Sequence, residues 1–224
     1  TRMISWHPRT CTLHRNSQGI AAVTQFEYFS DKYQKGTDAN PDSLWVVFDN
    51  LDGETDVMMS ELKEATYADP FNSDKYFKYK HFLSAVKVYA YSENSAQSYH
   101  MWGQLRKVQV RNQPSSCRIL LPTTDGESPS EILFGDRISY FDIHKTPIYG
   151  YEDSSSENIS APESIDLSGT SSENPVYLGY ALIAPGGDLY LDITTDAGAY
   201  SVVIPMEQKI DDKTVKVFQP GVIY

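Results

Sequence analysis

Five histidines are the first residues to weigh for chemistry: His7, His14, His81, His100 and His144. A zinc site needs ligands that converge on one ion, which the sequence announces as H-x-x-x-H or H-E-x-x-H on a helix, or as histidines beside a C-x-x-C pair. None of these patterns occurs. His81 alternates with Phe77, Tyr79 and Leu83 on an apolar face, so a hydrogen-bonded core histidine is expected. Carboxylates gather at Asp49, Asp52, Glu54 and Asp56. A calcium loop needs D-x-D-x-D-G spacing, and only Asp49, Asp52 and Gly53 approach it, so a solvated acidic turn is expected. A glycosidase needs two carboxylates across a cleft, and nothing singles out such a pair. There is no G-x-S-x-G, P-loop or G-x-G-x-x-G motif. Gly179-Tyr180 and Gly186-Gly187 do not open a helix, so they give no phosphate cradle. Trp6, Trp45 and Trp102 could stack on a sugar, but Trp45 lies in an apolar run and packing roles are expected for all three. The expectation is no enzyme: no catalytic, cofactor-binding or metal-ligating residues, and no cofactor.

The bulk numbers point the same way. The chain has 224 residues and a formal charge of −11, which disfavours nucleic acid and anionic membranes as partners. Sixteen tyrosines suit half-buried strand faces, where the ring packs and the hydroxyl stays wet. Cys11 and Cys117 are read as two free thiols, with a disulfide between them as the alternative. No apolar run reaches the length of a membrane-spanning helix, and no signal-peptide pattern opens the chain. Because the sequence begins at Thr1 rather than Met, a processed or trimmed form is expected.

The elements that would position these residues are short strands. Gln104–Arg111 and Cys117–Leu121 flank the turn residues 112–116, and are expected to form a central antiparallel hairpin with a bulge near Arg106. Val23–Phe29, Leu44–Phe48, Val57–Met59, Ile132–Phe134, Ile138–Ile143 and Val176–Ala184 have strand composition. Tyr76–Tyr91 reads as the longest strand, with a change of face near Ser84-Ala85. Leu189, Leu191 and Ile193, then Tyr200, Val202 and Ile204, alternate on either side of Asp196-Ala197-Gly198, a second hairpin. Residues 31–43 read as a loop, 61–70 as a connector with one helical turn, 92–99 as a loop or short helix, and 151–175 as a long exposed loop containing the glycan acceptor pattern Asn158-Ile159-Ser160. Such a run of strands and turns specifies an all-β antiparallel sandwich. Two domains are expected, a small N-terminal one over residues 1–65 and a sandwich over 66–224 carrying the loop insertion near 151–175.

Three segments, Asp56–Ser60 with Phe77–Ser84, Trp102-Gly103 with Val108–Cys117, and Gly179–Pro185 with Phe218–Tyr224, together resemble the fimbrillin family, the fimbrium subunits and fimbrillin-like surface lipoproteins of Gram-negative anaerobes. The resemblance implies two transthyretin-like β-sandwich domains, export as a lipoprotein, exposure at the outer-membrane surface, and assembly into pili by strand donation between subunits. Residues 1–60 are short for that family's first domain, and the lipidated cysteine of an exported precursor is absent. The ending Phe218-x-x-Gly221-x-x-Tyr224 is normally followed by a last strand. A sandwich without that strand exposes a ladder of main-chain groups. The expected function is therefore a cell-surface structural or adhesive subunit of fimbriae. Its partners would be other pilus subunits joined by strand addition, with a host or glycan ligand besides. The alternatives are a carbohydrate-binding surface module and, behind it, a hydrolase on a β scaffold.

Overall fold

The computed structural model describes residues 2–8, 11–15, 19–23, 44–71, 76–122, 124–129, 132–145, 164–206, 208–210, 213–215 and 217–224, and the main chain alone for residues 11–15, 19–23, 44, 45, 95, 208–210 and 213–215. In chain order the elements are β1 (Arg2–Met3), β2 (Trp6–His7), β3 (Cys11–Arg15), β4 (Gly19–Val23), β5 (Leu44–Phe48), β6 (Met58–Ser60), β7 (Lys63–Glu64), β8 (Tyr79–His81) and β9 (Ser84–Ala90). After them come α1 (Ser95–Trp102), β10 (Leu105–Gln113), β11 (Cys117–Leu120), β12 (Ile132–Phe134), β13 (Ser139–Asp142), β14 (Val176–Ile183), β15 (Leu189–Thr195), β16 (Gly198–Ile204), β17 (Gln208–Ile210) and β18 (Lys213–Val215). The fold is all-β, as the strand-and-turn pattern specifies, and every paired strand couple is antiparallel.

The strands form two compact units. The first gathers residues 1–51, 55–82 and 114–136. Its largest sheet has the order β12-β11-β5-β3-β4, with β2-β6-β8 and β1-β7 as smaller sheets. The continuous apolar run of β5 places it in the middle of the large sheet, where Val46 and Phe48 are buried and Val47 is half-buried. On β11 the period of two is plain: Cys117 and Ile119 are buried and Arg118 is exposed.

Cys117 is a free, buried thiol. Burial, and then the charge of Asp49, push its pKa up to about 12. The folded chain therefore keeps this thiol neutral where an unfolded one ionises, so stability falls as the pH rises above the unfolded value. At pH 8 in a Cys11→Ser background, a disulfide reagent should label Cys117 about a thousandfold more slowly in the folded chain than in urea, on thiolate fraction alone. Equal rates would contradict this burial.

The second unit gathers residues 52–54, 83–113 and 137–224. One sheet has the order β13-β10-β15-β16 and the other pairs β14 with β9. Val86 and Val88 of β9, Leu178, Ala181 and Ile183 of β14, Val108 and Val110 of β10, and Leu189 and Leu191 of β15 share one buried apolar cluster, which makes this unit a sandwich. The bulge expected near Arg106 is present as a register shift between Leu105 and Lys107. The hairpin of β15 and β16 has the expected register, Thr195 against Gly198 through Leu189 against Ile204.

Several expectations need correction. β10 and β11 do not pair with each other: β10 lies between β13 and β15, and β11 between β5 and β12. Asn112 has a positive φ of 55°, and Pro114 has no N–H for a ladder. The five-residue turn thus hands the chain from the second unit to the first. The long strand expected over 76–91 is two strands, β8 and β9, in different sheets, and the expected change of face is where the chain passes between units. Residues 61–70 hold the short strand β7 and no helix. The short helix, one of the two readings of residues 92–99, is present as α1 and is closed at Gly103, whose N–H donates to Tyr99 O at 2.9 Å. Because β8 pairs with β6 and β11 with β5, residues 66–82 and 114–136 join the first unit, where the sequence reading placed one cut after residue 65. Of the expected loop 151–175, residues 164–175 are tied down: Ile165 is buried and exchanges main-chain hydrogen bonds with Leu105. The glycan pattern at 158–160, residues 31–43, and the expected strand beyond Val23 lie outside the described residues.

Candidate functional site

The residues first weighed for chemistry sit in separate, self-contained arrangements. In the first unit, His81 is half-buried and its Nδ1 lies 2.5 Å from Asp56 Oδ2, while His7 Nδ1 lies 2.8 Å from Asp56 O. In the second, His144 Nδ1 lies 3.6 Å from Glu54 Oε2, its main chain bridges Tyr180, and its ring packs on that tyrosine. His100 is exposed on α1, edge-on to Tyr99; the side chain of His14 lies outside the described ones. Among the described residues no group of three or more His, Cys, Asp or Glu is placed to hold a metal ion. Asp52 takes up a local role, its Oδ1 accepting Glu54 N–H at 2.9 Å. A cavity of about 590 Å³ in the second unit has an apolar floor including Val108, Ile143 and Leu178. The charges at its rim are paired, Lys107 with Asp142 at 3.1 Å and Arg106 with Asp196 at 2.7 Å. Asp196 is held below the usual carboxylate range by Arg106 and by the N–H of Gln104.

Two described aromatic pairs at the surface are tilted or edge-on rather than coplanar. Trp102, expected to pack, stands 39% exposed at the end of α1, and its ring meets Tyr200 at 84°. On β9 and β14, Tyr89 and Tyr177 meet at 57°. A sugar-stacking surface needs a flat row of rings, and perpendicular or tilted pairs present only one face each.

What the second unit does offer is a strand edge. Gln219-Pro220-Gly221-Val222 forms a type II turn: proline presets the second position and Gly221 supplies φ +75° at the third. Leaving the turn, the chain runs parallel to β9. Gly221 N–H donates to Leu83 O at 2.8 Å and Ala85 N–H to Val222 O at 2.9 Å. Tyr224 N–H then donates to Ala85 O at 2.9 Å and Lys87 N–H to Tyr224 O at 2.8 Å. The Tyr224 side chain locks this segment down. Its ring meets Phe218 edge-to-face at 4.9 Å and packs on the buried cluster, and its hydroxyl accepts Gln219 N–H at 2.8 Å.

Residues 222–224 pair with β9 as far as Lys87, and β9 itself continues to Ala90. Ala85 and Lys87 turn their main-chain groups to the segment, so by the two-residue period Tyr89 turns its N–H and C=O to the same side. Among the described residues no strand lies beside Tyr89 on that side. Among the described residues, the four-stranded sheet of this unit faces β14, β9 and the segment 222–224. Sequence reading expected an open ladder where a last strand would follow; it did not identify β9 as the neighbour of residues 222–224. The signal was the turn pair Pro220-Gly221 followed by Val222-Ile223-Tyr224.

No protein-family model and no curated protein matches the chain. Among solved structures, the chain matches that of "a putative cell adhesion protein from Bacteroides uniformis ATCC 8492". The identity is 10% and the TM-score 0.35, over 71% of this chain and 58% of that one.

Proposed function

We propose that the chain is a cell-surface structural or adhesive subunit that assembles by β-strand addition, the incoming strand lying parallel to β9 beyond Tyr224. The edge of β9 past Lys87, where among the described residues no strand lies beside Tyr89, carries this reading. An extended segment there would satisfy the main-chain groups of Tyr89 and bury apolar residues at alternate positions. The reading also draws on the fimbrillin-like segments, because Gly179–Pro185 and Phe218–Tyr224 flank β9 on its two sides. Export to the outer surface and pilus membership belong to the same reading.

A soluble alternating Val-Thr peptide, added in excess to the folded chain, tests it. At a hundredfold excess over its Kd, binding should raise stability by about 2.7 kcal/mol, read as a higher melting temperature. A melting temperature that stays constant up to millimolar peptide would sink the reading.

A further inference from the structure

We infer that β16 pairs with the β16 of a second copy of this chain, antiparallel and centred on Ser201. This edge belongs to the other sheet of the second unit and does not depend on the strand-addition reading. β16 is the last strand of the order β13-β10-β15-β16, so among the described residues only β15 pairs with it. Thr195 faces Gly198 across a two-residue turn. In such a hairpin the closing pair exchanges its main-chain bonds, and so does every second pair after it. Gly198, Tyr200, Val202 and Ile204 therefore turn their main-chain groups to β15, and Ala199, Ser201 and Val203 turn theirs outward.

Edge strands are ordinarily protected by charge, proline or a bulge. The sequence Gly-Ala-Tyr-Ser-Val-Val-Ile of β16 has no charge and no proline, and its register with β15 is unbroken. Its apolar residues are also uncovered: Tyr200 is 38% exposed, Val203 50% and Ile204 42%. The opposite edge, β13, carries Asp142 and a register shift against β10.

The occupant follows from self-complementarity. Centred on Ser201, antiparallel pairing sets Ser201 against its twin and Ala199 against Val203, so every outward N–H and C=O meets a partner. It also sets Tyr200 against Val202, an aromatic and a β-branched residue on one face, which is a favourable cross-strand pair. A chain of net charge −11 resists self-association, but β16 itself carries no charged residue. The nearest carboxylate on the neighbouring strand, Asp192, is paired with Arg111 at 2.9 Å and accepts Ser201 Oγ–H at 2.6 Å. Two such groups would stand three strand spacings apart, about 14 Å, beyond the screening length in physiological salt.

The test is cross-linking of the full chain in a Cys11→Ser background. The pairing brings the two Ser201 Cα atoms to about 5.5 Å, within disulfide range, and leaves the two Ala199 residues about 13 Å apart. Under mild oxidation Ser201→Cys should form covalent dimers at least ~10-fold faster than Ala199→Cys. Val203→Lys, on an exposed position, should abolish the concentration-dependent dimer seen by sedimentation. Ser201→Pro should do the same, since the main-chain N–H it removes points outward; its other loss is the Ser201–Asp192 side-chain hydrogen bond. A chain that stays monomeric to millimolar concentration, equal cross-linking at positions 199 and 201, or a dimer that survives both Val203→Lys and Ser201→Pro would overturn the inference.

Discussion

Replacing Tyr224 by alanine should lower the stability of the second unit by about 3 kcal/mol. Truncating a buried aromatic ring costs about 3–5 kcal/mol, and a half-buried ring costs less. Tyr224 is half-buried against the core cluster and edge-on to Phe218. Losing the hydroxyl removes the acceptor for Gln219 N–H and adds roughly 1 kcal/mol. Tyr224→Phe isolates that second part and should cost only about 1 kcal/mol. Native-state hydrogen exchange of the Val110 and Leu191 amides, both in buried residues of this unit, gives the two values. If Tyr224→Ala left those amides unchanged, the terminal segment would not be part of the sandwich.

Gly179→Ala should be at least as damaging, at about 3 kcal/mol or more. Gly179 lies at the register shift of β14 against β9, with φ +142°. A side chain there faces two costs. The backbone conformation is one that L-residues rarely adopt, and a Cβ would stand 2.5 Å from His144 O and 3.1 Å from His144 C. That obstacle is main chain rather than the tip of a flexible side chain. It is also held in place, since His144 and Tyr180 exchange main-chain hydrogen bonds of 2.7 and 2.9 Å. The loss should appear in the same exchange experiment, together with faster exchange of the Tyr180 amide. A stability within about 0.5 kcal/mol of the parent chain would mean that the bulge relaxes freely.

The comparison of sequence with structure turns on which interactions are local. The β15–β16 hairpin was legible because its alternation and its turn lie within sixteen residues of each other. The buried parity of Val86, Val88 and Ala90 was legible for the same reason. Partner choice was not. Nothing in Gln104–Leu121 tells that its two strands join different units, because pairing is settled by β5, β13 and β15, remote in sequence. The same holds for 76–91, where one apolar run crosses from one unit to the other at Phe82-Leu83. His81 was read as a hydrogen-bonded core histidine; it is hydrogen-bonded but only half-buried, and its partner, Asp56, is a member of what looked like a uniform acidic turn. Trp102 was read as packing, and it does pack, on Tyr200 at the surface rather than in the core. At the edge of β9, only the fold shows which neighbour residues 222–224 meet and that they run parallel to it.

Amide exchange along β9 tests the open edge most directly. In the chain alone, the amides of Ala85 and Lys87, which donate to Val222 and Tyr224, should be protected, and that of Tyr89 should exchange at close to the rate of an unfolded chain. With saturating strand peptide, Tyr89 should become protected while Ala85 and Lys87 stay as they were. A Tyr89 amide already as slow as Lys87 without peptide, or one that stays fast with peptide bound, would contradict an edge that accepts a strand.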